Sequence, residues 1–218
     1  KQSGGASGKQ NAAQSKASTN KVYIVCTKEQ LDENSSLMIF SLIDKLSAEL
    51  SVAKDIEQKK SLLMRRAIAH SVLRDFEAAI SDFTYYISLD EKSSLAYWQR
   101  AVCQAEMDEF NRAEGKGITN IHSAEADFSD AIRLNSNNAY IYYNRGNVHA
   151  GRNELSKAID DYSIAIRIDS RLAEAYYNRG LARIKSGNKQ AGIQDLSKAG
   201  ELGLYDAYSV IKRINKAK

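Results

Sequence analysis

Tyr142-Tyr143-Asn144-Arg145-Gly146 returns 34 residues later as Tyr176-Tyr177-Asn178-Arg179-Gly180. Downstream of each, Ala158-Ile159-Asp160-Asp161-Tyr162 is answered by Gly192-Ile193-Gln194-Asp195-Leu196 at the same offset. The frame extends upstream, where Leu63-Met64-Arg65-Arg66-Ala67 and Tyr97-Trp98-Gln99-Arg100-Ala101 are also 34 apart. Ala79-Ile80-Ser81-Asp82-Phe83 matches Ala124-Glu125-Ala126-Asp127-Phe128 at 45, one period plus an 11-residue insertion. A fixed period of this length signals stacked repeats and takes precedence over residue-by-residue assignment. Four units follow, covering 60–93, 94–138 with the insertion after Phe110, 139–172 and 173–204.

Within a unit the apolar residues recur at helical spacing in two blocks, helix A and helix B. In the last unit Ala175, Tyr176 and Ile184 mark the first block, and Ile193, Leu196, Ala199 and Leu202 the second. Gly187-Asn188 and Arg74-Asp75 mark turns between the two. Small residues face each other where the helices must approach: Ala67 and Ala79, Ala101 and Ala124, Gly146 and Ala158, Gly180 and Gly192. A bulky side chain at such a crossing costs about 1–3 kcal/mol in overpacking.

A 34-residue helix-turn-helix with aromatic and small residues in these places resembles the tetratricopeptide repeat (TPR), over residues 60–204. The Asn-Arg-Gly pattern and the Ser197–Gly203 ending are similar to bacterial TPR arrays. The resemblance implies an all-α, right-handed solenoid of four repeats. Two departures stand out. The family's proline after helix B is replaced by Glu91, Ser136, Ser170 and Leu204, and its helix-A leucine by Arg66, Arg100, Arg145 and Arg179.

A stack of repeats needs closed ends. Residues 205–218 are expected to cap the last repeat, with a helix over 205–216 whose stripe is Tyr208, Ile211 and Ile214. Residues 22–59 read as a mainly helical N-terminal extension, with one helix over Leu37–Leu50 and a second from Asp55 to Leu73 that opens the first repeat. Thr27 and Gln30 fit a capping box, and Val22–Val25 reads as a short extended segment or an anchor against the first helices. Residues 1–21 carry Lys1, Lys9, Lys16 and Lys21, no acidic residue and no large apolar side chain, and are expected to be a disordered basic tail or linker.

Those four lysines account for the whole net charge of +4, so the rest of the 218 residues is neutral. That argues against a globally basic nucleic-acid-binding domain. No apolar run approaches the length of a membrane span. Two cysteines, Cys26 and Cys103, make neither a disulfide framework nor a Cys-rich metal site, and no metal or cofactor is expected. The start at Lys1 suggests processing or excision from a longer chain, and with the bacterial style it leans the reading towards a periplasmic or cell-envelope setting.

Every repeat pairs a helix-A arginine with a helix-B aspartate: Arg66 and Asp82, Arg100 and Asp127, Arg145 and Asp161, Arg179 and Asp195. Arginine's planar fork suits a carboxylate, and the arginine falls where the family buries leucine, so the row is read as a structural ladder. The resemblance also implies a concave groove lined by helix A. Its positions here are Arg65, Trp98, Gln99, Tyr143, Asn144, Tyr177 and Asn178, with Ile68, Val102, Asn147 and Leu181 one turn on. Arg65, Gln99, Asn144 and Asn178 resemble the asparagine ladder some TPR superhelices offer to peptide backbone, since an amide donates and accepts at once. Tyr143, Tyr177 and Glu174 stand where a carboxylate clamp for acidic tails would need basic residues, so that subtype is not expected.

The insertion, Asn111–His122, reads as a polar, then glycine-punctuated loop, either decoration or a functional projection. Catalysis has little support. His70 and His149 are repeat equivalents, His122 lies in the insertion, and no nucleophile elbow, phosphate loop or His-Glu-x-x-His is present. The expected function is non-catalytic binding of a peptide or protein segment on the concave face. The alternatives are an accessory domain of a larger enzyme or of a secretion or envelope assembly, and a scaffold that self-associates end to end.

Overall fold

The computed structural model describes residues 31–116 and 121–216, with side chains for 31–116 and 124–216. The basic tail, Val22–Val25, Cys26, the Thr27/Gln30 box and residues 117–120 of the insertion lie outside the described residues. Within them are ten helices: α1 Glu33–Val52, α2 Ile56–Val72, α3 Phe76–Leu89, α4 Ser94–Ala113, α5 Ile121–Leu134, α6 Ala139–Gly151, α7 Leu155–Ile168, α8 Ala173–Lys185, α9 Lys189–Glu201 and α10 Asp206–Lys216. The fold is an all-α TPR solenoid. Helices α2, α4, α6 and α8 are helices A, and α3, α5, α7 and α9 are helices B.

Each helix packs on the next in chain order, and α4, α6 and α8 also touch in succession, whereas helices B make no comparable contact with one another. The stack therefore curves with helices A on the inside. The crossings are as close as the small residues allow. Ala67, Ala79, Ala101 and Ala158 are fully buried. A Cβ added at Gly180 would stand 2.8 Å from the carbonyl oxygen of Gly192. Aromatic and aliphatic side chains fill the space beside each crossing: Phe83, Phe128, Tyr162 and Leu196, one per repeat.

Helix starts are set by short polar side chains. Asp32, Asp55, Asp75, Ser93, Asn138 and Asn188 each accept a backbone N–H from the first turn that follows. The A-to-B turns share one device. A left-handed residue ends helix A at Arg74, Asn153 and Gly187, and the next N–H bonds the carbonyl five residues back. In the second repeat Asp108 holds that place and stays helical, so α4 runs on until Gly115 supplies the left-handed turn. The expected loop is thus corrected. Asn111, Arg112 and Ala113 extend α4, and Ile121 and His122 open α5.

The missing prolines also have an explanation. After helix B, Asp90 accepts from Lys92 N–H at 3.1 Å, Asn135 from Asn137 at 3.2 Å and Asp169 from Arg171 at 2.9 Å. These side-chain turns stop the helix where a proline otherwise would. Asp90 also pairs with Lys60 at the start of α2, 2.8 Å away, tying the two ends of one repeat together.

Candidate peptide-binding face

The charged ladder is formed by forked pairs. Arg66 donates to Asp82 at 2.8 and 2.6 Å, Arg100 to Asp127 at 2.7 and 2.7 Å, Arg145 to Asp161 at 2.8 and 2.7 Å, and Arg179 to Asp195 at 2.9 and 2.7 Å. The bonds to aspartate hold the guanidinium pKa of Arg66, Arg100 and Arg145 above the ordinary arginine value. In three repeats a further guanidinium nitrogen reaches a hydroxyl on the preceding helix, Ser47, Thr84 or Ser163, at 2.9, 3.0 and 3.1 Å. Arg100, Arg145 and Arg179 each lie over the tyrosine three residues earlier, 5.5 to 5.8 Å from its ring centre. Each arginine of the ladder thus joins its own helix A to its helix B, and Arg66, Arg100 and Arg179 also reach the helix before. Part of the hydroxyl arm was readable in the repeat frame, because Thr84 and Ser163 each precede their arginine by 16 residues; Ser47 precedes Arg66 by 19 and falls outside that frame.

The histidines belong to the turns. His70 Nδ1 lies 3.0 Å from Asp75 and His149 Nδ1 2.8 Å from Glu154, each the acidic residue at the start of the following helix B. Among the described residues no group of His, Cys, Asp and Glu is placed to hold a metal ion. None of the helices there is long and apolar enough to cross a membrane.

On the concave face the expected positions divide into two sets. Tyr143, Asn147 and Asn178 are interior. Asn178 Nδ2 donates to Asn147 Oδ1 at 2.9 Å and to Tyr143 Oη at 3.3 Å, and Tyr162 Oη donates to the same Asn147 oxygen at 2.8 Å. Burial pushes the Tyr162 phenol well above its ordinary pKa, which keeps it a donor. This network links α6, α7 and α8, so Asn147 and Asn178 are spent on holding repeats together. Val102 is buried against α5 and α6. Four residues expected to line an open groove therefore serve the packing instead.

The second set remains on the inner face. Arg65 and Ile68 are exposed, and Trp98, Gln99, Tyr177 and Leu181 are partly so. Trp98 stacks on Tyr140 of the next repeat, with ring centres 6.5 Å apart. Tyr140 and Leu95, both exposed and both second in their helices A, extend this strip; the repeat pattern alone does not single them out. Asn144 follows Tyr140 by one helical turn and is 1% exposed. Both its amide atoms, like the buried Nε1 of Trp98, meet no hydrogen-bond partner among the described residues. The inner face of repeats 1 to 3 thus combines exposed apolar surface with buried, unanswered polar atoms.

The likeness to known proteins is one of repeat and of fold. A family model described as TPR repeat matches residues 151–187, and one described as tetratricopeptide repeat matches 173–202. No curated protein matches the chain in sequence. Among solved structures, MamA superposes with a TM-score of 0.66 at 22% identity, over 83% of this chain and 99% of that one. YrrB, described as a TPR protein with an unusual peptide-binding site, gives 0.61 at 15% identity over 82% and 89%. A thermophilic TPR protein in Thermus thermophilus gives 0.58 at 17% over 84% and 95%. At these identities the structures share a fold with this chain. Two family models thus identify tetratricopeptide repeats in the third and fourth repeats, and the chain shares the fold of TPR solenoids over most of its length.

Proposed function

We propose that this chain is a non-catalytic interaction scaffold that holds an extended protein segment on the inner face of repeats 1 to 3. The observation that carries this reading is Asn144, a buried amide with neither atom answered. A buried polar group left without a bond costs about 1–3 kcal/mol. A backbone peptide group supplies what is missing, its N–H for Asn144 Oδ1 and its C=O for Asn144 Nδ2 or Trp98 Nε1. Ile68, Leu95, Trp98 and Tyr140 supply apolar area for the side chains of such a segment. Docking requires neighbouring side chains to move aside, because Asn144 is closed to solvent in the structure.

The ladder pairs Arg66–Asp82 to Arg179–Asp195 act in this reading as framework, fixing the curve on which the face depends. Tyr177, Leu181 and Gln99 flank the bound segment, and Arg65 sets one charge at its edge.

Capture from a peptide library tests the proposal, using Trp98→Phe with Asn144→Leu. This variant keeps the apolar bodies and removes the three unanswered polar atoms. The expected result is at least about tenfold weaker capture with an unchanged circular dichroism spectrum. Undiminished capture by the folded variant would remove the basis for the site.

A further inference from the structure

The two ends of the solenoid are half-repeats. At the front, Arg66 reaches Ser47 of α1 just as Arg100 reaches Thr84 and Arg179 reaches Ser163, so α1 holds the place of a helix B. Leu46 then fills the place of Phe83 and Tyr162 and is buried like them. Leu42 falls where Ala79 and Ala158 are pressed by their own helix A at 0% exposure, yet it is 37% exposed. Among the described residues no helix A covers it. At the back, α10 holds the place of a helix A. Ala207, Val210 and Arg213 stand 34 residues after Ala173, Tyr176 and Arg179. Ala207 and Val210 are buried, while Arg213 is exposed with no aspartate beside it among the described residues.

The two ends differ in charge. Helix α1 carries Glu33, Asp44 and Glu49 against Lys45, and α10 carries Lys212, Arg213 and Lys216 against Asp206. Both also expose large apolar groups, Leu37, Met38 and Phe40 on α1, and Tyr205 and Tyr208 at α10.

From the unmatched helix B at one end, the unmatched helix A at the other and their opposite charge, we infer that the chain self-associates head to tail, with α10 of one copy docked on α1 of the next. The contact is heterologous, so each added copy offers a fresh α1 or a fresh α10 and the assembly grows as a filament or closes as a ring. The seam is not an internal hairpin repeated. Lys45 stands in the place of Asp82 and Asp161, and Leu42 and Ile214 stand where internal crossings have alanine or glycine. The helices therefore meet further apart than an internal pair, on aliphatic and tyrosine side chains, with Arg213 and Lys216 directed to Asp44 and Glu49. The inner groove takes no part, so this inference stands apart from the peptide-binding proposal.

Light scattering on the full chain across concentration, at low and high salt, tests it alongside two charge-reversed variants. One is Arg213→Glu with Lys216→Glu, the other Asp44→Lys with Glu49→Lys. The wild type is expected to grow in mass with concentration and to shrink as salt screens the seam. Each variant alone should associate at least about tenfold more weakly, and an equimolar mixture should recover, because the reversed ends now complement each other. Circular dichroism confirms that each variant is folded. A monomer at every concentration, a closed dimer that does not grow, or wild-type association by either folded variant would overturn the inference.

Discussion

Asp161 is the residue whose removal the ladder feels most directly. It accepts both forks of Arg145, and His149 Nε2 also lies 3.7 Å from it. Asp161→Ala leaves a half-buried guanidinium without its carboxylate and is expected to cost about 2–4 kcal/mol in urea unfolding. Arg145→Met with Asp161→Leu should recover much of that loss, since apolar groups replacing both partners leave no stranded charge. The two asparagines one turn apart should behave oppositely. Asn147→Leu breaks bonds to Tyr162 and Asn178 and is expected to cost about 1–3 kcal/mol. Asn144→Leu removes an amide with no protein bond and should leave ligand-free stability unchanged or raise it. Thermal melts of the two variants make the comparison. At this scale the arginine–aspartate pairing was legible, because charge and spacing both repeat. The fate of each groove amide was not. Asn144, Asn147 and Asn178 all sit on helix-A positions that look alike in sequence, and only the tyrosine hydroxyls brought against them separate bonded from unbonded.

At the scale of elements, helix contacts depend on the small residues and helix ends on short polar ones. Gly180→Ala would drive a methyl into the Gly192 carbonyl, and a backbone oxygen cannot swing aside as a side chain would. The expected loss is about 1–3 kcal/mol by denaturant unfolding, with the α8–α9 hairpin opening first in hydrogen exchange. The turn after α3 gives a pH test. The hydrogen bond from Lys60 holds the Asp90 carboxyl below its ordinary value of 3.8. Its stabilising contribution is therefore complete above pH 3.8 and is lost as pH falls through the lower folded-state value. Asp90→Asn keeps an oxygen for Lys92 N–H but not the charge. It is expected to lower the melting temperature at pH 7, with the difference from wild type closing as pH drops below 3.8. Helix positions were readable because each hairpin repeats its apolar pattern. The path of the insertion was not, since continuation of α4 turned on Asp108 remaining helical where Arg74 and Asn153 turn left-handed.

For the whole molecule, the repeat dictates a curved stack with helices A inside, and both proposed contacts with other molecules fall at departures from the repeat. Inside the stack each ladder arginine meets an aspartate, three helix-B ends close on Asx turns, and the crossings carry glycine or alanine. Among the described residues, the Asn144 and Trp98 strip on the inner face and the half-repeats at the ends depart from this pattern. Trp98 is the single tryptophan of the chain, so its emission reports on that strip alone. The decisive measurement is a titration of a library-selected peptide followed by Trp98 fluorescence. Binding on the inner face of repeats 1 to 3 predicts a saturable spectral shift whose midpoint equals the affinity from calorimetry, and weaker binding in Asn144→Leu. Calorimetric binding with a silent Trp98 and full affinity in Asn144→Leu would place the ligand elsewhere and contradict the account.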